Sequence, residues 1–266
     1  MARVEATVWR SRSGWLPQYL RSLAAYLARW AMVRVRRAGL FTRASRDYWR
    51  DLRDYKRSDE RGADPVVAFP QLWDKTTATP VDAHYALQGP WVFRRLLEHA
   101  PSSHVDVGSS LMYLGFFSAV VPTTFVDIRP AHLDVPNLRC EAGDILGLPY
   151  ADGSLHSVSC LHVLEHIGLG RYGDPIDPAG HLKGLAELRR VLAPGGHLYL
   201  SVPVGRPTVY FNAHRVFDPE TIRRAARPLQ LAEFSLISDD GRLIEQCDLT
   251  LAQQQSYGCG LFHFVT

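Results

Sequence analysis

The stretch HVDVGSSLMYLG, residues 104–115, has the form of a nucleotide-binding turn between a strand and a helix. An apolar run contains Asp106 and ends at Gly108, but Ser110 and Met112 stand where a dinucleotide-binding turn has further glycines. A pyrophosphate needs those glycines because backbone amides must approach it closely. The turn therefore predicts a ligand without a pyrophosphate, although a strand–turn–helix that binds nothing would tolerate the same residues.

The residues on either side of this turn alternate between strand and helix patterns. Strands are predicted at 104–108, 123–128, 137–142, 155–163, 197–204, 231–237 and 260–265, and helices at 89–100, 111–120, 181–192 and 218–226. This alternation predicts an α/β fold with a doubly wound, mostly parallel, Rossmann-like sheet of seven strands. One strand at the sheet's end is expected to run antiparallel, because no clear crossover helix joins the last two.

The N-terminal part of the chain differs in charge from the rest. Residues 1–46 contain ten arginines and one acid, a net charge of +9, whereas the remaining residues carry −6. A second, charged helix is predicted at residues 45–60, followed by a loop with prolines at 65, 70 and 80. We therefore predict a helical, basic N-terminal segment and linker at residues 1–80 and one main domain at residues 81–266.

Residues 14–40 have the apolar periodicity of an amphipathic helix. Arg21 and Arg29 interrupt the apolar stretch, which argues against a helix that spans a membrane. Two interpretations remain open. The helix packs on protein, either this chain or a second copy in a homodimer, or it lies in the interface of an anionic membrane at its cytoplasmic face.

Four widely spaced cysteines favour buried, reduced thiols and a cytoplasmic protein. No pair of them has the spacing of metal ligands. Glu165 and His166, with Asp174 and Asp177, have the oxygen-rich composition of a magnesium or manganese site. Neighbouring residues on a helix point about 100° apart, so both cannot easily bind one ion, and no metal site is predicted.

Acidic residues and a histidine follow successive predicted strands. Asp106, Asp127, Asp144 and His162 end or follow the first four of them. In a doubly wound sheet these positions meet at one edge, where ligands bind. Asp127 comes about 20 residues after the turn, the spacing at which a carboxylate binds ribose hydroxyls.

Two longer stretches resemble a known family. GDILGLPYADGSLHSVSCLHVLEHI, residues 143–167, and LRRVLAPGGHLYLSVP, residues 188–203, resemble class I S-adenosylmethionine-dependent methyltransferases with a VLEH signature, of the type 11 group. DAHYALQGPW, RYGDPIDP, FNAHRVF and YGCGLFHF resemble an uncharacterised subgroup with members associated with surface-glycan biosynthesis. The resemblance covers about residues 84–266 and implies methyl transfer, expected to an oxygen of a small-molecule or glycan-type acceptor.

The resemblance also implies which residues surround S-adenosylmethionine. The expected cofactor-binding residues are Asp106, Gly108, Ser109, Asp127, Ile128, Asp144, Ile145 and His162. Asp106 would hold the ammonium group directly or through water, Asp127 the ribose hydroxyls and Asp144 the adenine amino group. A sulfonium nucleoside has no phosphate, which agrees with the single glycine of the turn.

Methyl transfer to a hydroxyl needs orientation and a base. The candidate bases are His162, His166 and His214, and a purely structural role for His166 remains open. The expected acceptor-binding residues are His84, Tyr85, Tyr172, Asn212, His214 and Arg215, with the first two as a lid.

Two other functional classes are alternatives to methyl transfer to a small-molecule or glycan-type acceptor. A binding or scaffold protein that keeps the fold without turnover would explain the loss of glycines from the turn. Nucleic-acid methylation is not predicted, because the main domain is net acidic and the NPPY-type motif is absent after the fourth strand.

Overall fold

The computed structural model describes residues 39, 41–58 and 68–266, and the chain divides into the units Met1–Pro80 and Val81–Thr266. In the first unit, residues 41–58 form helix α1, close to the predicted 45–60. Apart from Gly39, the predicted helix at 14–40 lies outside the described residues. None of the helices in the described ranges is long and apolar enough to span a membrane.

The second unit contains the predicted sheet. Its strands are β1 (His104–Val107), β2 (Thr123–Asp127), β3 (Leu138–Ala142), β4 (Leu155–Leu161), β5 (Leu192–Val204), β8 (Gln230–Ile237), β9 (Leu243–Ile244) and β10 (Gly258–Val265). Strands β6 (Thr208–Tyr210) and β7 (His214–Val216) form a separate hairpin. The helices are α2 (Ala83–His99), α3 (Leu111–Ser118), α4 (Gly180–Val191), α5 (Pro219–Ala225) and α6 (Leu249–Gln253).

The strand order is β3-β2-β1-β4-β5-β10-β8-β9. Strands β1 to β5 pair in parallel, whereas β10 runs antiparallel between β5 and β8. The prediction of a doubly wound, mostly parallel sheet with an antiparallel strand is confirmed. The sheet has eight strands rather than seven, because the two-residue β9 is too short to produce a periodic pattern.

Two apolar cores cover the two faces of the sheet. One face packs against α4, α5 and α6, and the other packs against α2 and α3. Neighbouring residues of one strand point to opposite faces, so Leu200 belongs to the first core and Tyr199 to the second. With both faces covered, only the edges and the strand ends are open to a ligand.

Helix α2 begins earlier than the sequence predicts. We expected Pro90 near the first turn, but the helix starts at Ala83 and Pro90 lies inside it. The Asp82 carboxylate caps the start by accepting hydrogen bonds from the backbone N–H groups of His84 and Tyr85. The cap and the burial of the following apolar residues outweigh the hydrogen bond that Pro90 cannot make.

Candidate functional site

A cavity of about 300 Å³ opens at the carboxyl ends of the parallel strands. It lies where the strand order reverses between β1 and β4, the usual ligand position in a doubly wound sheet. Six of the residues predicted to bind the cofactor line it: Gly108, Asp127, Ile128, Asp144, Ile145 and His162. The fold therefore brings residues from four separate loops to one cavity.

Gly108 forms the floor of this cavity at the end of β1. Its φ is +70°, a conformation in which a side chain is strained. A Cβ placed there would lie 3.2 Å from the side chain of Val163 and 3.7 Å from Asp127 Oδ2. The glycine thus keeps open the space next to the Asp127 carboxylate.

Two of the acids that line the cavity, Asp127 and Asp144, also shape their own loops. Asp127 Oδ1 accepts a hydrogen bond from the backbone N–H of Arg129 at 2.7 Å. Asp144 Oδ1 accepts one from the N–H of Leu146 at 2.9 Å. These bonds fix each carboxylate by one oxygen at the cavity.

Asp106 and Ser109 lie below the turn and do not line the cavity. Asp106 is fully buried, accepts from the Ser109 N–H at 3.1 Å and from the Ser159 hydroxyl, and so holds the turn together. Burial raises the pKa of Asp106 to about 6, against hydrogen bonds that lower it. The predicted contact of Asp106 with a ligand ammonium remains a prediction.

His162 follows β4 in a left-handed conformation, with φ +57°. Its Nδ1 lies 2.6 Å from Glu165 Oε1, while Nε2 is buried and has no hydrogen-bond partner among the described residues. Burial favours the neutral ring, but the neighbouring Cys259 and Glu165 side chains favour the protonated ring and raise the pKa of His162 well above its usual value. Glu165, itself 1% exposed, orients the ring.

His166 also lines the cavity, and its tautomer follows from its partner. Nδ1 lies 2.7 Å from the carbonyl oxygen of Ala213, which can only accept, so Nδ1 carries the proton. Nε2 is then left as a hydrogen-bond acceptor. Burial lowers the pKa of His166, which keeps the ring neutral near pH 7.

Aromatic side chains surround His162 and His166. His84 and Tyr85 stack on His162 at centroid distances of 5.2 and 5.4 Å, and His84 also stacks on Tyr257. His84 and Tyr85 belong to the first turn of α2, and their role as a lid stays a prediction. Tyr172 lies edge-on to His166 and lines the cavity.

The remaining predicted acceptor residues lie on the β6–β7 hairpin or beside it. His214 packs against Tyr257 at 5.1 Å, and Asn212 is exposed in the hairpin turn. Arg215 is buried and donates from Nη1 to the Ile167 carbonyl oxygen at 2.7 Å. The structure thus gives Arg215 a role in holding the hairpin, and its binding of an acceptor stays a prediction.

The acids of the following loop have partners in the loop itself and in α4, the helix after it. Asp174 accepts from the backbone N–H groups of Gly168 and Gly170, and Asp177 pairs with Lys183 at 2.6 Å.

Sequence reasoning missed the pairing of His162 with Glu165, although a spacing of three residues could have suggested it. It also missed Tyr257, because the fold brings that residue here from the far end of the chain.

Comparison with known proteins covers parts of the chain. Residues 150–255 match the family described as "Caenorhabditis protein of unknown function, DUF268". A demethylmenaquinone methyltransferase of Deinococcus radiodurans is 41% identical over 117 residues, 39% of this chain and 44% of that protein. An uncharacterized 37.1 kDa protein in transposon Tn4556 of Streptomyces fradiae is 40% identical over 70 residues, 26% of this chain and 17% of that protein. The chain thus spans less than half the length of these relatives.

Solved structures also resemble the chain. The N-methyltransferase NodS of Bradyrhizobium japonicum WM9, in complex with S-adenosyl-L-homocysteine, shares 16% sequence identity with it at a TM-score of 0.47. The similarity covers 74% of this chain and 92% of that one.

Proposed function

We propose that the protein is an S-adenosylmethionine-dependent methyltransferase that methylates an oxygen of a small-molecule or glycan-type acceptor. The observation that carries the proposal is the cavity at the strand ends, which Gly108, Asp127, Asp144 and His162 line together. The identity to a demethylmenaquinone methyltransferase over 117 residues supports methyl transfer as the chemistry.

The residues of the cavity fit this cofactor. Asp127 would accept hydrogen bonds from both ribose hydroxyls, since a carboxylate has acceptor sites for two donors. Asp144 would accept from the adenine amino group, with the buried Ile145 beside the ring. Gly108 provides close approach where a side chain would fill the space. Ser109 and Asp106 would then act as positioning residues that hold this turn.

The cofactor supplies a methyl group that its sulfonium already activates, so the protein must orient the acceptor and remove a proton. We assign the base to His166, because its Nδ1–H is held by the Ala213 carbonyl and its Nε2 accepts. His162 is also a candidate base, but its Nε2 is buried, and His84 and Tyr85 stack on its ring. The exposed parts of Tyr85 and Tyr172 would pack on the acceptor.

Calorimetry with S-adenosylmethionine and S-adenosylhomocysteine tests the proposal. We expect one site per chain, and Asp127→Ala should weaken binding about 10- to 100-fold, as expected for lost hydrogen bonds to a charged group. Asp134→Ala removes an exposed acid outside the cavity and is the matched control. No binding by the wild type, or equal affinity of both variants, would contradict the proposal.

Transfer of a labelled methyl group to a small-molecule fraction of a cell lysate tests turnover. His166→Gln should lower the rate by about 10²- to 10⁴-fold, the usual contribution of a general base, and should weaken cofactor binding much less than Asp127→Ala does. Binding without any transfer by the wild type would instead favour a scaffold protein with this fold.

A further inference from the structure

Three side chains with the chemistry of metal ligands, one of them His162, lie close together beside the cavity. They are His84 in the first turn of α2, His162 after β4 and Cys259 at the start of β10. One ligand atom from each lies within 4.8 Å of the other two. The three residues are 9%, 8% and 0% exposed, so the cluster is buried in the second unit.

His162 is oriented as a metal ligand usually is. Glu165 holds Nδ1, and Nε2 is the buried atom that lacks a hydrogen-bond partner among the described residues. Buried polar atoms are nearly always paired, so an orphaned nitrogen that belongs to a cluster of ligand atoms needs an explanation. A carboxylate on the other ring nitrogen is the common partner of a histidine that binds a metal.

We propose that His84, His162 and Cys259 bind a zinc ion. Two imidazoles and one thiolate are the nitrogen and sulfur donors that zinc prefers. Three protein ligands leave a fourth position for water or for an atom of a bound molecule. The site shares His162 with the lining of the cofactor cavity, but neither the Asp127 carboxylate nor His166 belongs to it.

Binding requires only a small local rearrangement. Zinc–ligand distances of about 2.0–2.3 Å bring ligand atoms closer together than 4.8 Å, so the cluster must contract by about 1 Å. The rings of His84 and His162 are stacked, with their planes 19° apart and their centroids 5.2 Å apart. Because an imidazole lone pair lies in the plane of its ring, one ion close to both rings cannot lie in both planes. The ring of His84 must therefore turn about its side-chain bonds to face the ion. The ion would then connect α2, β4 and β10.

Titration of the purified full chain with Co²⁺, a spectroscopic substitute for zinc, tests this site. We expect one equivalent to produce a thiolate-to-cobalt charge-transfer band, which Zn²⁺ then abolishes. The band identifies the site, because the other histidine cluster, His99, His197 and His263, offers only imidazole nitrogens. The absence of this band in the wild type would overturn the proposal. His162 would then have the Cys259 thiol as a hydrogen-bond partner instead of a metal ion.

Variants assign the band to Cys259. Cys259→Ala should abolish it, whereas Cys160→Ala, which removes another thiol that is 0% exposed, should keep it. A band of equal intensity in Cys259→Ala would overturn the proposal. His84→Gln should keep the fold, measured by circular dichroism, and weaken cobalt binding by at least about tenfold. A change to a residue that only hydrogen-bonds to a metal ligand already weakens binding by that factor, so the loss of a ligand should weaken it at least as much. Unchanged cobalt affinity in this variant would likewise overturn it.

The metal test is separate from the cofactor test. Zn²⁺ should also raise the melting temperature of the wild type and of Cys160→Ala, but not that of Cys259→Ala. A protein that binds S-adenosylmethionine but no cobalt would refute the zinc site alone, and the reverse result would refute the methyltransferase alone.

Discussion

Gly108 connects β1 to the cavity in a backbone conformation that only glycine adopts without strain. We expect Gly108→Ala to lower the free energy of unfolding by about 1–2 kcal/mol and to weaken cofactor binding, because a left-handed alanine is strained and its Cβ would meet Val163. Urea unfolding and calorimetry measure the two effects.

Gly115 is the matched control for Gly108. It lies inside α3, and a Cβ there would meet nothing within 4 Å. Gly115→Ala should therefore stabilise the protein by about 0.5–1 kcal/mol and leave cofactor affinity unchanged. Equal effects of the two substitutions would show that neither the positive φ at Gly108 nor the space beside Val163 requires a glycine there.

His104, at the start of β1, makes the stability of the fold depend on pH. The ring is 1% exposed and lies 2.8 Å from the hydroxyls of both Ser157 and Ser159. Burial lowers the pKa of His104 to about 3. Below pH 6.5 the unfolded chain therefore binds a proton that the folded protein does not bind until about pH 3. Stability from this residue is complete above pH 6.5 and is lost as the pH falls through that range.

The free energy of unfolding should fall by about 1.4 kcal/mol for each pH unit between about 6 and 4 because of His104. Denaturant unfolding at pH 5 and pH 7 measures this. His104→Gln should reduce the difference between the two pH values, and His132→Gln, which changes an exposed histidine, should not. The raised pKa of Asp106 has the opposite effect, because it increases stability as the pH falls from about 6 to 4. The contribution of His104 is therefore read from the difference between the variants and not from the wild type alone.

At the scale of single elements, the first turn of α2 forms one wall of the aromatic set around His162. The Asp82 carboxylate accepts from the N–H groups of His84 and Tyr85 at 3.1 and 3.4 Å. Asp82→Ala should cost about 1 kcal/mol of stability and displace both side chains from His162. Thermal unfolding measures the first effect, and the chemical shifts of the His162 ring report the second.

Asp248 provides the comparison for this cap. It precedes α6 in the same position as Asp82 before α2, but its side chain makes no capping hydrogen bond. Asp248→Ala should therefore change stability by much less than Asp82→Ala. A similar loss in both variants would mean that the effect at Asp82 comes from its charge and not from the cap.

The elements also show which parts of the fold a sequence can reveal. Strands β1, β2, β4 and β5 could be predicted from their apolar residues, and the edge strand β3 because apolar and charged residues alternate in it. The acids at the strand ends could be placed at one edge of the sheet by topology. The start of α2 could not, because Pro90 resembles a helix start while the actual cap, Asp82, is read only from its hydrogen bonds. The zinc ligands could not either, since His84, His162 and Cys259 belong to three elements far apart in the chain.

At the scale of the whole chain, the cores of the second unit consist of residues from Ala83 onward. These residues already cover both faces of the sheet with α2 to α6. The predicted main domain at 81–266 begins at the same residue as the second of the two units into which the chain divides. The prediction rests on the sequence of the basic segment and its prolines, in which strand and helix patterns do not alternate, and the assignment of domains stays a prediction.

The charge of the chain is as unevenly distributed as its elements. Residues 1–46 carry +9 and the remainder −6, and the sequence of residues 14–40 predicts a helix with one apolar face. We propose that this segment lies on an anionic membrane surface, where basic residues and buried apolar side chains both contribute to binding. The full chain should then sediment with phosphatidylserine-containing vesicles but not with neutral ones, and salt should weaken the binding.

Deletion of residues 1–40 should abolish vesicle binding without changing cofactor affinity, because the residues that line the cavity lie between Val107 and Pro175. A full chain that ignores anionic vesicles would contradict the membrane proposal and favour the packed alternative. In that case the deletion should change the oligomeric state, measured by analytical ultracentrifugation, or lower the melting temperature. The two interpretations thus differ in an observable that depends on residues 1–40 alone.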